Sequence, residues 1–90
     1  VYVDEHRSNA ELIMAVQSTA MAVQNLLLSA HEMGLGACWR CAPLFCAKTV
    51  IDTLKLPQSW RPQALVTLGY PDEDGKTPSR LSWQEVTKWL

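Results

Sequence analysis

The sequence predicts a domain that mixes helix and strand, α/β or α+β, and three observations carry that expectation. A helical periodicity starts near Ser8 and runs into Gly34-Leu35-Gly36. A short β-type stretch follows from Ala37 to Cys41, and a nearly continuous apolar run, Ala64 to Leu68, is bounded by Gly69. A second helical pattern lies between the two extended stretches, which gives the order helix, strand, helix, strand.

The first helix opens on Ser8-Asn9-Ala10-Glu11, which has the S-x-x-E form of a capping box. Such a box supplies acceptors for backbone N–H groups that the first turn leaves unpaired. Leu12, Ile13, Val16, Ala20, Val23, Leu27, Ala30 and Met33 recur at three- and four-residue steps, while Met14, Met21, Leu26 and Leu28 widen the apolar surface beyond one stripe. A helix of about 25 residues is roughly 37 Å long, more than a chain of 90 residues easily surrounds. It calls for a partner chain or for further sequence.

Pro43 suits the first turn of the second helix, where its missing N–H is not needed. That helix carries Leu44, Phe45, Val50, Ile51 and Leu54 and should stop near Pro57. Ala64 to Leu68 has the look of a strand covered on both faces. Pro71 to Arg80 is polar and contains Asp74-Gly75 and Pro78, so an exposed loop is expected. The closing Leu81 to Leu90 keeps Trp83, Val86, Trp89 and Leu90, and an end so apolar is expected to pack on something, another subunit included.

Hydrophobic residues make up 48% of the chain and charged residues 19%, a composition that builds a core. Eight basic and nine acidic residues give a net charge of −1 with no basic stripe, which argues against nucleic acid as a partner. Uninterrupted apolar runs such as Leu26 to Leu28 are far short of the roughly 18 residues of a bilayer span, so no membrane association is expected. Cys38, Cys41 and Cys46 are odd in number and crowded together, a poor disulfide framework that fits a reducing, cytoplasmic compartment. The chain opens on Val1 and leads almost at once into a helix, so it is read as a single partial domain, residues 1–90, of something longer.

Few residues carry chemistry on their own. Cys38-Trp39-Arg40-Cys41 has the C-x-x-C spacing of redox sites and of half a zinc site. Two further ligands at regular spacing do not follow, and small buried thiols in a strand are the simpler expectation. His31 lies near the C-terminus of the long helix, where the dipole favours an imidazolium; His6 is weaker still. Asp52, Asp72, Glu73 and Asp74 read as solvated charge, and no carboxylate pair or catalytic triad can be assembled. Gly34 and Gly36 fit either an ordinary helix stop or a turn that lets backbone approach a bound group. Lys76 and Arg80, in the polar loop, could be solvated or could pair with a phosphate, a task that suits the arginine fork.

Taken together, these residues resemble the C-terminal half of the nitroreductase superfamily. The long helix ends in Gln24 to Trp39, QNLLLSAHEMGLGACW, a phrase very like the family's. The likeness continues through Leu54-Lys55-Leu56-Pro57, Trp60-Arg61-Pro62, the strand and Gly69-Tyr70-Pro71 turn, and a closing stretch with Pro78, Ser79, Arg80 and Trp89. The segment from Asp4 through Ala15, with Cys38-Trp39, is most similar to the C-terminal domain of the ligase that adds γ-glutamate to the deazaflavin coenzyme. The resemblance implies an α+β nitroreductase-like fold with a mainly antiparallel sheet, a homodimer built around the long helix, and FMN at the dimer interface. It further implies an FMN-dependent oxidoreductase that takes hydride from NAD(P)H and reduces a nitro, quinone-like or related acceptor.

By position, Gly34 and Gly36 would form the turn into the flavin-contacting strand. Arg40, Cys41 and Ala42 would contribute backbone to the flavin, and Arg80 would hold the FMN phosphate. Many members carry glycine where this chain has Cys41-Ala42. The family's arginine-serine-arginine phosphate segment and the middle segment that reaches the flavin ring do not occur here, so the missing N-terminal half is needed for a complete site. Two other readings stand beside this one: a flavin-free dimerisation or binding module, including a deazaflavin-coenzyme biosynthesis domain, and a C-x-x-C redox or zinc protein.

Overall fold

A computed structural model describes residues 5–90, with side chains from Ser8 onward. Among them α1 spans Glu5–Glu32, β1 Gly36–Arg40, α2 Ala42–Phe45, α3 Ala47–Leu54, β2 Leu65–Gly69 and α4 Trp83–Val86. The two strands pair antiparallel, from Gly36 opposite Gly69 to Arg40 opposite Leu65. The expected order of helix and strand is therefore present, and the architecture is a small α+β one.

Several expected boundaries move. α1 is already helical at Glu5 and Ser8 lies inside it, so Ser8-x-x-Glu11 is not its start. The functioning box is Ser82-x-x-Glu85: the backbone N–H and the hydroxyl of Ser82 both donate to Glu85 Oε2, at 2.9 and 2.8 Å, and open α4. The single helix expected from Pro43 to Pro57 is two, broken at Cys46, whose φ of −140° and ψ of 43° leave the helical region. Cys41 falls outside β1.

Two helix ends are built alike, and both aim the chain that follows. At the end of α1 the Leu35 N–H reaches the Ala30 carbonyl at 2.8 Å and the Gly34 N–H reaches that of His31 at 3.0 Å, the crossed pair of a Schellman stop. Gly34 takes the left-handed φ of +76° that this turn demands, and a Cβ there would meet nothing within 4 Å. Backbone conformation alone selects glycine at this position. At the end of α3 the same bonds run from Leu56 to Ile51 and from Lys55 to Asp52, with Lys55 at φ 54°. Lysine occupies there a conformation that disfavours a Cβ.

Gly36 lies next to the segment that follows β2. Its Cβ would stand 3.4 Å from the Cβ of Pro71, so the Gly69-Tyr70-Pro71 turn folds closely over the first residue of β1.

What the fold does not do is cover itself. Its buried hydrophobic residues are Ala30 and Ile51, joined by Pro43. The radius of gyration is 17.4 Å, against about 12 Å for a compact chain of this length. The exposed surface is 8498 Å², where a folded monomer of this mass shows about 5,300 Å². β2, expected to be covered on both faces, leaves Leu65 and Leu68 exposed, and the apolar Leu81 to Leu90 end lies open as well. α1 is moreover long and apolar enough, by length and composition, to cross a membrane. No continuous run signals this, because the polar stretches Gln17-Ser18-Thr19 and Gln24-Asn25 interrupt it. The same test is passed by the core helix of a soluble protein.

Two outcomes check the local chemistry. Gly34→Ala should destabilise the fold by about 1 kcal/mol and Lys55→Gly should stabilise it by roughly 0.5–1 kcal/mol, read as opposite shifts of the denaturation midpoint. The two hydrogen bonds from Ser82 hold the Glu85 carboxyl below its ordinary range. Its contribution to α4 is present above the unfolded carboxylate pKa and is lost as pH falls through the lower folded value. Amide exchange at residues 83–86 should therefore speed up on acidification in the native chain, and that pH step should vanish in Glu85→Ala.

Candidate functional site

The geometry that could meet a ligand gathers where β1 ends. Alternation along the paired strands puts Ala37 and Trp39 with Leu68 and Val66 on one face, and Gly36, Cys38 and Arg40 with Gly69, Thr67 and Leu65 on the other. Ala37, Trp39 and Val66 are half-buried, whereas Cys38, Arg40, Thr67 and Leu65 are exposed. Arg40 thus stands on the open face at the last rung of the ladder.

Beyond that rung the chain turns sharply. Cys41 has φ −88° and ψ 3° and sits at the N-cap of α2, where its carbonyl accepts the Leu44 N–H at 3.0 Å. Ala42 opens α2 and Pro43 follows it, buried. The Cys46 thiol lies 3.3 Å from the Ala42 carbonyl. Behind this turn is a mainly apolar recess of about 420 Å³, lined among others by Ala42, Cys46, Val50, Leu54 and Leu65. Its volume falls in the range of small-molecule pockets.

The other site residues expected from sequence are placed apart from that recess. Gly36 lines a shallow depression of about 330 Å³ with Cys38, Thr67 and Tyr70. Gly34 forms the helix stop described above. Arg80 lies on the exposed closing segment, with Nη1 donating to the Ser79 carbonyl at 3.1 Å, and it lines neither cavity. Among the described residues the ion pair is Lys48 with Asp52, so Arg40 and Arg80 face no neutralising carboxylate. Exposed guanidinium groups of that kind are suited to an anion supplied from outside. The Lys48–Asp52 pair raises the lysine pKa and lowers the aspartate's through their shared hydrogen bond, yet both side chains are exposed, so it marks surface structure rather than a site.

The thiols differ from expectation. All three are free and exposed instead of buried in a strand. Cys38 and Cys41 are joined by extended residues, which sets their Cα atoms roughly 10 Å apart at about 3.3 Å per residue. A disulfide spans at most about 6.8 Å, so the C-x-x-C spacing is not a redox pair in this backbone. Among the described residues no group of three metal-ligating side chains gathers either. His6 lies outside the residues whose side chains are described. His31 stands in the last turn of α1, as its sequence position predicts.

One polar atom escapes a reading of the sequence. Trp39 Nε1 is buried on the covered face of β1 with no hydrogen-bond partner among the described residues. An orphaned donor of this kind marks an incomplete surrounding, and an indole in a strand gives no signal of it in sequence.

Comparison with known proteins bears on this geometry. The profile of the Nitroreductase family matches residues 1–70, which covers α1, the β1 turn, α3 and β2 and leaves out the segment with Arg80. A protein of Methanothermobacter thermautotrophicus named as a putative NADH dehydrogenase/NAD(P)H nitroreductase is 41% identical over 83 residues, 82% of this chain and 41% of that protein. A putative NAD(P)H nitroreductase of Bacillus subtilis, YfhC, is 33% identical over 63 residues, 70% of this chain and 32% of its own length. The chain therefore spans about a third to two fifths of the curated relatives it matches. On a match that takes in both strands and the helix stop between them, this chain belongs to the Nitroreductase family.

Proposed function

We propose that this chain is the C-terminal part of an FMN-dependent oxidoreductase that works as a cytoplasmic homodimer, oxidising NAD(P)H and reducing a nitro, quinone-like or related acceptor. The observation that carries the reading is the family match running through α1, the Gly34 stop and β1 to Arg40. The relatives' names supply the nicotinamide and the nitro group, and the exposed free thiols suit a reducing compartment. In this reading the apolar surface of α1 is covered by protein, a second subunit and the rest of the fold, rather than by lipid.

When bound, FMN supplies the hydride acceptance and the electron transfer. The chain's own residues would bind and orient. Arg40 on the last rung of the sheet, with Cys41 and Ala42 just past it, would present backbone to the flavin, and the small Ala42 side chain leaves room for close approach. Arg80, exposed and without a carboxylate partner among the described residues, suits a phosphate. The rest of the site, including the family's other phosphate-binding segment, would come from the N-terminal half. No acid, base or nucleophile is required of these residues, because the cofactor carries the chemistry.

A preparation with its complete natural N-terminus should be yellow and show the two visible bands of oxidised flavin. Arg80→Ala should weaken FMN retention by about 1.5–3 kcal/mol, roughly ten- to a hundredfold, through the lost charge-assisted contact. Unchanged retention removes Arg80 from the site. A colourless protein that ignores added FMN would sink the flavin reading and leave the flavin-free module, the deazaflavin-coenzyme domain among its forms.

A further inference from the structure

We propose that Asp74-Gly75 is a site of spontaneous backbone modification, at which the Asp74 carboxyl and the Gly75 nitrogen close a succinimide that reopens to isoaspartate. The two residues lie between the Gly69-Tyr70-Pro71 turn and the Ser82 capping box, outside every described helix and strand. Both are exposed. Among the described residues the Asp74 carboxylate has no hydrogen-bond or ion-pair partner, and the Gly75 N–H meets no acceptor. Nothing lies within 4 Å of where a Gly75 Cβ would stand, so no packed neighbour restrains the residue on that side.

The first step is an intramolecular condensation. The Gly75 amide nitrogen attacks the side-chain carboxyl carbon of protonated Asp74, so a C–N bond forms while the carboxyl C–OH bond breaks. The proton from nitrogen and the hydroxyl leave together as water. The succinimide then takes water back. Opening at the main-chain carbonyl leaves the chain running through the side-chain carbon, which is isoaspartate; opening at the side-chain carbonyl restores aspartate. Nothing is oxidised or reduced, and the water lost in the first step is regained in the second. Closing the ring turns the Gly75 nitrogen toward the Asp74 side chain, a rotation that a Cβ on the following residue would crowd and that glycine leaves free.

Other acids and amides of the chain lack one or both conditions. Asp52 precedes Thr53 inside α3, and its carboxylate accepts from the Lys48 ammonium and the Gln58 amide. Asn9 and Asn25 lie within α1, whose backbone is held helical. Asp72 is followed by Glu73, which places a side chain on the attacking residue. Among the described residues Asp74 joins an unbonded backbone to a following glycine. The openness is also written in composition: residues 72–77 read Asp, Glu, Asp, Gly, Lys and Thr, with no large apolar side chain for another surface to cover. Whatever covers α1 has no apolar reason to cover this loop.

The test is ageing of the native protein, with its complete natural N-terminus, at about pH 5, where an ordinary aspartate is partly protonated. Trypsin then releases the peptide Leu56–Lys76, since Arg61 precedes proline and is not cut. With time that peptide should split into two species of equal mass, and fragmentation should place isoaspartate at residue 74. Gly75→Val should slow the accumulation at least about tenfold, because a β-branched side chain crowds ring closure. Asp74→Glu, which would need a larger ring, should stop it. A synthetic peptide of residues 70–80 serves as the unrestrained standard. If that peptide rearranges while the native protein stays below about a tenth of its rate, the loop is held closed or covered and the proposal falls. Isoaspartate at residue 72 instead of 74, or an unchanged rate in Gly75→Val, overturns the choice of site.

Discussion

The rest of the structure depends on an α1 helix that is apolar around most of its circumference and covered along little of it. Of its residues from Ser8 to Glu32, Ala30 alone is buried, and Leu12, Ile13, Met14, Val16, Met21, Leu26 and Leu28 are exposed. Apolar surface removed from water is worth about 25 cal/mol per Å². A helix that leaves this much of it wet lacks the stabilisation that would offset the conformational entropy of holding it straight. Its order has to come from neighbours on several sides. The open sheet face, the orphaned Trp39 N–H and the exposed Trp83, Trp89 and Leu90 make the same demand. These features stand at separate places in the fold, so one contact surface does not answer all of them.

The helix constrains the sheet through one residue. Gly34, in the left-handed region, reverses the chain so that β1 leaves α1 in a fixed direction, and Leu35 and Ala30 lock that reversal through the 2.8 Å bond. Two residues later Gly36 meets Pro71, which closes the other end of the hairpin-like pair over the same point. Gly34 therefore meets the demand of a dihedral angle, while Gly36 and Gly69 face each other on the first rung, with Pro71 beside Gly36. From that anchored end the ladder runs outward to Arg40, so the place where backbone becomes available, Cys41 and Ala42, is set by the helix stop upstream of β1.

Element types and their order are legible in the sequence because they rest on local signals: the three- and four-residue recurrence in α1, the apolar run of β2, and the glycine after the helix. Boundaries are less so. Ser8-x-x-Glu11 and Ser82-x-x-Glu85 have the same form, and only the second caps a helix. A box works where the chain enters the helix, and at Ser8 the helix has already begun. The break at Cys46 carries no glycine or proline to mark it, and Pro57 signals that α3 ends nearby without signalling that Lys55 takes a φ of 54°. Burial departs from expectation in one direction throughout. The β2 run and the cysteines ask for cover by their composition, and a composition cannot say whether the cover is supplied by the same chain.

The candidate site follows the same logic. Its backbone portion is local, since the Gly34 stop, β1 and the Cys41 turn lie within nine residues, and that portion is in place in this chain. Its charged portion is not local. Arg80 lies forty residues beyond Arg40, on an exposed segment past the family match, and among the described residues nothing draws the two toward one cavity. A group that binds at the end of β1 while its phosphate is held by Arg80 would bridge parts that the described residues leave separate. Binding and assembly are then linked: any ligand that touches both, or any subunit that fixes the closing segment, stabilises the same arrangement and strengthens the other's contact. Such linkage is the physical form in which a partial fold can carry a specific site.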